Sequence, residues 1–133
     1  MNTEEIRRWV IDEIVSDLEI NEAVAAAECF LEVGIKPAIF IQKDGDIQMV
    51  AQPNRGQYSL SVRTVETDGV YRVHRIGPDK MSVATTCPYG HLAEIVAAVK
   101  WLKDATVGET LEKCAGLFQR LTDSPCNTAT NGA

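Results

Sequence analysis

Two Asp-Gly dipeptides, each set between runs of strand-forming residues, constrain this chain more than any other feature. Asp44-Gly45 separates AIFIQ from IQMVA, and Asp68-Gly69 separates YSLSVRTV from VYRVHRI. Both residues of such a turn take positive φ at little cost, so the pattern predicts two β-hairpins. The alternating segment Met81-Ser82-Val83-Ala84-Thr85 predicts a fifth strand.

The second hairpin allows its faces to be counted. A two-residue Asp68-Gly69 loop pairs Thr67 with Val70 and sets Arg63 opposite His74. Leu60, Val62 and Thr64 then share an apolar face with Tyr71 and Val73. The other face carries Ser59, Ser61, Arg63, Val65, Arg72, His74 and Ile76, and is basic at its middle. In the first hairpin Ile39, Phe40 and Ile41 are consecutive and apolar, which predicts strands covered on both faces or central in the sheet.

Helical periodicity brackets this strand block. Asn2 and Glu5 have capping-box spacing, and Ile6, Trp9, Val10, Ile14 and Leu18 recur at three- and four-residue steps. Arg8, Asp12, Ser16 and Glu19 fall on the opposite, outer face. A break at Asn21 leads into a second helix, EAVAAAECFLEV, apolar enough to be largely buried and stopped by Gly34 and Pro37. After the strands, Leu92, Ile95, Val96, Val99 and Leu102 form a third helical stripe. Thr106 and Glu109 have the capping spacing for a fourth helix, burying Leu111, Cys114, Ala115, Phe118 and Leu121.

The expected fold is therefore α+β. It has an antiparallel sheet of about five strands over roughly residues 37–86, flanked by two N-terminal and two C-terminal helices. Residues 1–122 are expected to form a single domain and 123–133 a flexible polar tail. A chain of 133 residues with 45% hydrophobic and 24% charged residues can bury a core without metal or disulfide staples. No apolar run approaches the roughly 20 residues of a membrane span. The opening Met-Asn-Thr-Glu-Glu is acidic where an export signal is basic, so the expected location is cytoplasmic, with reduced thiols.

Charge is distributed unevenly along a chain of net −6. Residues 1–33 hold nine acids against two bases, whereas residues 34–86 hold seven bases against five acids. Nucleic-acid binding through Arg63, Arg72 and His74 is thus conceivable but not favoured. The chain as a whole is acidic, and Tyr58 and Tyr71 fall away from the basic face. The acidic residues Asp12, Glu13, Asp17 and Glu19 form the mirror-image candidate, a strip that engages a basic protein surface.

Catalytic signals are sparse. Cys87 and His91 flank Pro88-Tyr89-Gly90 at the expected strand-to-helix junction, where a helix dipole lowers a thiol pKa. The pair is the one weak candidate for a thiol or metal enzyme. It lacks a third orienting residue, a CxxC partner and a second close ligand pair. Phosphate loops and metalloprotease motifs are absent, and neither metal nor cofactor is expected. The balance is against an enzyme. It favours a small acidic binding protein of inhibitor, immunity, chaperone or adaptor type, with a protein partner met through Asp12, Glu13, Asp17, Glu19, Arg63, Arg72 and His74. A homodimer burying outer helices or a sheet edge is compatible with this reading.

Overall fold

The computed structural model describes residues 2–6, 15–53, 56–79 and 82–122. It has the expected α+β architecture, with helical segments before and after a five-stranded antiparallel sheet in the chain. Residues 3–6 form a helical turn closed by the anticipated capping box. The Glu5 amide donates to Asn2 Oδ1 at 2.8 Å, and the Asn2 amide reaches back to Glu5 Oε2 at 3.4 Å. Asp12, Glu13 and the stretch 123–133 lie outside the described residues.

Helix α1 spans Asp17–Glu32. It does not break at Asn21. Ser16 is its N-cap, accepting the Glu19 amide at 3.2 Å, and Asp17 and Glu19 occupy the first turn, where acids suit the helix dipole. A lone asparagine costs a helix only a few tenths of a kcal/mol, too little to outweigh burial of the face formed by Ala23, Ala26 and Phe30. The new start also changes the helical phase. Leu18 is exposed, and Glu19, expected on the outer face, is fully buried.

α1 ends in a Schellman motif. The Gly34 amide donates to Leu31 O and the Ile35 amide to Phe30 O, both at 3.0 Å, with Gly34 at φ 79°. Buried Ile35 joins the same apolar cluster as Phe30, the contact that usually accompanies this cap.

The sheet is a simple meander, β1(Ala38–Ile41), β2(Ile47–Ala51), β3(Ser59–Val65), β4(Val70–Ile76) and β5(Ser82–Pro88), in that spatial order. The first hairpin closes through Gly45 N to Gln42 O at 3.0 Å and Gln42 N to Asp46 O at 2.8 Å, with Gly45 at φ 89°. The second hairpin differs from the two-residue expectation. Val65 pairs with Val70 across a four-residue loop, so Arg63 faces Arg72 and Ser61 faces His74. The loop is wider because Gly69 N bonds back to Glu66 O, with Asp68 N on Val65 O. The register moves by two residues, which preserves the faces. Leu60, Val62, Thr64, Tyr71 and Val73 are buried as expected, and Arg72 is exposed.

Both helices lie over the middle strands: α1 packs on β2 and β3, and the second helix, α2(Ala93–Thr122), packs on β3 and β4. The edge strands therefore stay open. Ile39, Phe40 and Ile41 are each about half exposed, so their apolar run marks an uncovered edge and not a doubly covered strand.

α2 is one continuous helix where two were expected. Thr106 is not a cap: it is buried within the helix, and its hydroxyl donates to Leu102 O at 2.7 Å, as Thr110 does to Thr106 O at 3.0 Å. With its hydroxyl satisfied inside the helix and no proline to stop the chain, the capping signal loses. Ile95, Ala98, Val99 and Leu102 enter the core, but Leu111, Cys114, Ala115 and Phe118 are exposed, contrary to expectation. The helix runs on instead of turning back to pack.

Gly34 isolates one local term cleanly, since a Cβ there meets nothing within 4 Å. Gly34→Ala is expected to lower stability by about 1–2 kcal/mol from left-handed strain alone. Gly34→Asn should lose less, because asparagine tolerates that conformation. Urea midpoints of the two variants check this.

Candidate functional site

The residues singled out by sequence do not assemble into one site. Cys87 lies within β5, six residues before α2 begins, so it is not at a helix N-terminus. It is buried opposite Tyr71, and burial, then the nearby Glu94 charge, pushes its thiol pKa up. Both effects disfavour a thiolate. His91 is exposed in the turn after Gly90, with its amide bonded to Pro88 O at 3.1 Å. The thiol-enzyme reading thereby loses the electrostatic activation on which it depended. Among the described residues, no three His, Cys, Asp or Glu side chains converge to hold a metal ion.

Arg63 serves the protein's own loops. Its guanidinium contacts Asp44 at 2.9 Å and Asp46 at 3.3 Å, bracing β3 against the first hairpin loop. Asp46 is buried and also accepts the Glu66 amide at 3.2 Å, which links the two hairpin loops. The Asp46 amide, and then Arg63, hold the Asp44 carboxyl below the usual carboxylate range. What remains of the basic face is exposed Arg72 and half-buried His74. Of the acidic strip, Asp17 is exposed, whereas Glu19 is sealed inside and unavailable to a partner.

The polar centre that the structure does build was not anticipated. Tyr89, just past β5, donates its hydroxyl to Glu19 Oε1. Tyr71 donates towards Glu22, reaching the main-chain oxygen at 2.9 Å and the carboxylate. The two rings lie 5.0 Å apart, and the Tyr89 amide bonds to Gly69 O at 2.9 Å. Burial, followed by the carboxylate each one serves, raises both phenol pKa values above the ordinary value of 10. Glu19 Oε2 has no hydrogen-bond partner among the described residues. Two neutral phenols facing two carboxylates pin α1 across β4 and the end of β5. Glu19 and Tyr71 are sealed from solvent, while Glu22 and Tyr89 are half-buried.

The largest departure from a closed surface is on α2. Val107, Leu111, Cys114 and Phe118 recur at alternating four- and three-residue steps, the seam of an interacting helix. Leu111 is 64% and Phe118 67% exposed, the highest values among the exposed large hydrophobics. Flanking this seam are Gly108, Thr110, Ala115 and Leu117, all uncharged, while Glu109, Glu112 and Lys113 lie on the far side. No described helix is long and apolar enough to cross a membrane.

Comparisons with protein-family models, with curated proteins and with solved structures return no match. Function is therefore argued from these surfaces alone.

Two measurements check the site chemistry. Native-state alkylation, followed by peptide mass analysis, should modify exposed Cys114 rapidly, with Cys29 and Cys87 protected until unfolding. Rapid reaction at Cys87 would contradict its burial. In alkaline titration, raised phenol pKa values favour the protonated form in the folded state. Their contribution is complete below pH about 10 and is lost as pH rises above it, because the unfolded chain ionises first. Tyr71→Phe and Tyr89→Phe should each flatten that alkaline decline in denaturant midpoints.

Proposed function

We propose that this is a small cytoplasmic protein-binding protein, of adaptor, chaperone, inhibitor or immunity type, and that its partner covers the exposed half of α2. The observation that carries this reading is the seam of Val107, Leu111, Cys114 and Phe118 on a helix half that touches little of its own domain. An exposed contiguous apolar stripe edged by polar residues is costly in water and marks an interaction surface. Polar positions on the far side of α2 keep the free chain dispersed.

The polar groups of the predicted surface that stay accessible, Asp17, Arg72 and His74, would steer the encounter, and the apolar seam would supply affinity. Free thiols in the core, at Cys29 and Cys87, fit a reducing compartment. Nucleic-acid binding is not proposed, because Arg63 is engaged by Asp44 and Asp46.

Affinity capture from the native host, followed by binding measurements with variants, tests the reading. Leu111→Glu and Phe118→Glu should each weaken a captured partner roughly tenfold or more, the scale of an interface hot spot. Thermal midpoints should barely move, since both side chains are exposed. A partner that holds both variants as tightly as the parent does not use this seam. Reversal of Asp17 and Arg72 should change the association rate and its salt dependence more than the dissociation rate.

A further inference from the structure

A cleft of about 530 Å³ opens where the turn after α1, the start of β1, the end of β2 and the middle of α2 meet. Its size falls in the range of about 300–1,000 Å³ typical of small-ligand sites. The space has a local cause. The β1–β2 ladder begins at the Ala38–Val50 pair, and the small residues Ala38 and Ala51 line the gap where larger side chains would fill it. Ile35 and Val107 add apolar wall from the α1 turn and from α2.

The polar groups of these walls are mostly spent internally. Thr106 and Thr110 donate to main-chain oxygens of their own helix, and the Gln52 amide donates to Gly56 O. Lys36 and Lys103 are different. They line the cleft from two separate elements, and among the described residues neither ammonium has an ion-pair partner. The lining of the cleft holds these two lysines and no acid, so its charge balance favours a negatively charged ligand. The lysines are compact point charges, and no guanidinium fork lines the cleft to demand a phosphate or sulfate.

We propose that this cleft binds a small amphipathic carboxylate, with its apolar body against Ile35, Ala38, Ala51 and Val107 and its carboxylate between Lys36 and Lys103. The cleft shares Val107 and Leu111 with the seam proposed above for a protein partner, but its charged determinants, Lys36 and Lys103, are not part of that seam. Burial of the ligand's methylenes supplies affinity, and the two ammonium groups select the charged head over an alcohol.

Decanoate, kept below its micellar concentration, is the probe, and amide chemical shifts of the full chain are the readout. Saturable shifts are expected at Ile35, Lys36, Ala38 and Ala51, with decanol binding more weakly than decanoate. Lys36→Ala and Lys103→Ala should each weaken decanoate about 2- to 5-fold, the scale of partly solvated ion pairs, while leaving decanol unchanged. Thr110→Trp, at an exposed position in the lining, should abolish binding by filling the cleft. Three results would each overturn the proposal: no saturable binding, decanol binding as tightly as decanoate, or shifts confined to Leu117 and Phe118, which would mean adsorption to the exposed helix. Phe118→Glu, outside the cleft lining, reads partner binding separately from all three results.

Discussion

The domain rests on the parity of the β3–β4 pairing. Val62 meets Val73 and Thr64 meets Tyr71 on the side the helices cover, while Arg63 meets Arg72 on the side they leave open. Because side chains alternate, a slip of one residue would place the arginines under α1 and α2 and expose the valines. Every other contact inherits this choice. Phe30 and Leu102 find an apolar floor, Tyr71 reaches Glu22, and Arg63 reaches the acids of the first hairpin loop.

Parity was also the part most legible in the sequence. Counting from a two-residue loop gave the wrong partner for Arg63 but kept Leu60, Val62, Thr64, Tyr71 and Val73 on the buried face, because a shift of two leaves alternation intact; Val65, counted on the polar face, is buried as well. The helices were read less well, for a related reason. Helical faces depend on phase, and phase depends on where the helix starts. A start at Ser16 instead of a break at Asn21 turns Glu19 inward, four residues before Ala23 and seven before Ala26 on the buried stripe. That spacing was present in the chain, but a carboxylate at such a position reads as solvent-facing unless the phase is taken from the alanines.

The remaining differences come from tertiary competition that no local pattern records. Thr106 and Glu109 have cap spacing, yet the Thr106 hydroxyl satisfies Leu102 O from within an unbroken helix. Ile39, Phe40 and Ile41 look like a core strand, but two helices do not reach the edge of a five-stranded sheet. The cleft joins residues from Gly34 to Leu111, so its two lysines are neighbours only in the fold.

Helix α2 is 30 residues long, about 45 Å at 1.5 Å per residue, whereas five strands spaced about 4.8 Å apart span only about 19 Å between outer axes. Its N-terminal half is held by the core; its C-terminal half carries Gly108 and Gly116 and little tertiary contact. Isolated helical turns of that length are marginal in water, and each glycine removes roughly another 1 kcal/mol relative to alanine. The outer turns therefore gain little of the tertiary packing that usually stabilises a helix. A partner that covered the seam would stabilise those turns, so their helicity and the occupancy of the surface would be linked quantities. The overhang of α2 would then report, through its own helicity, on what binds beside it.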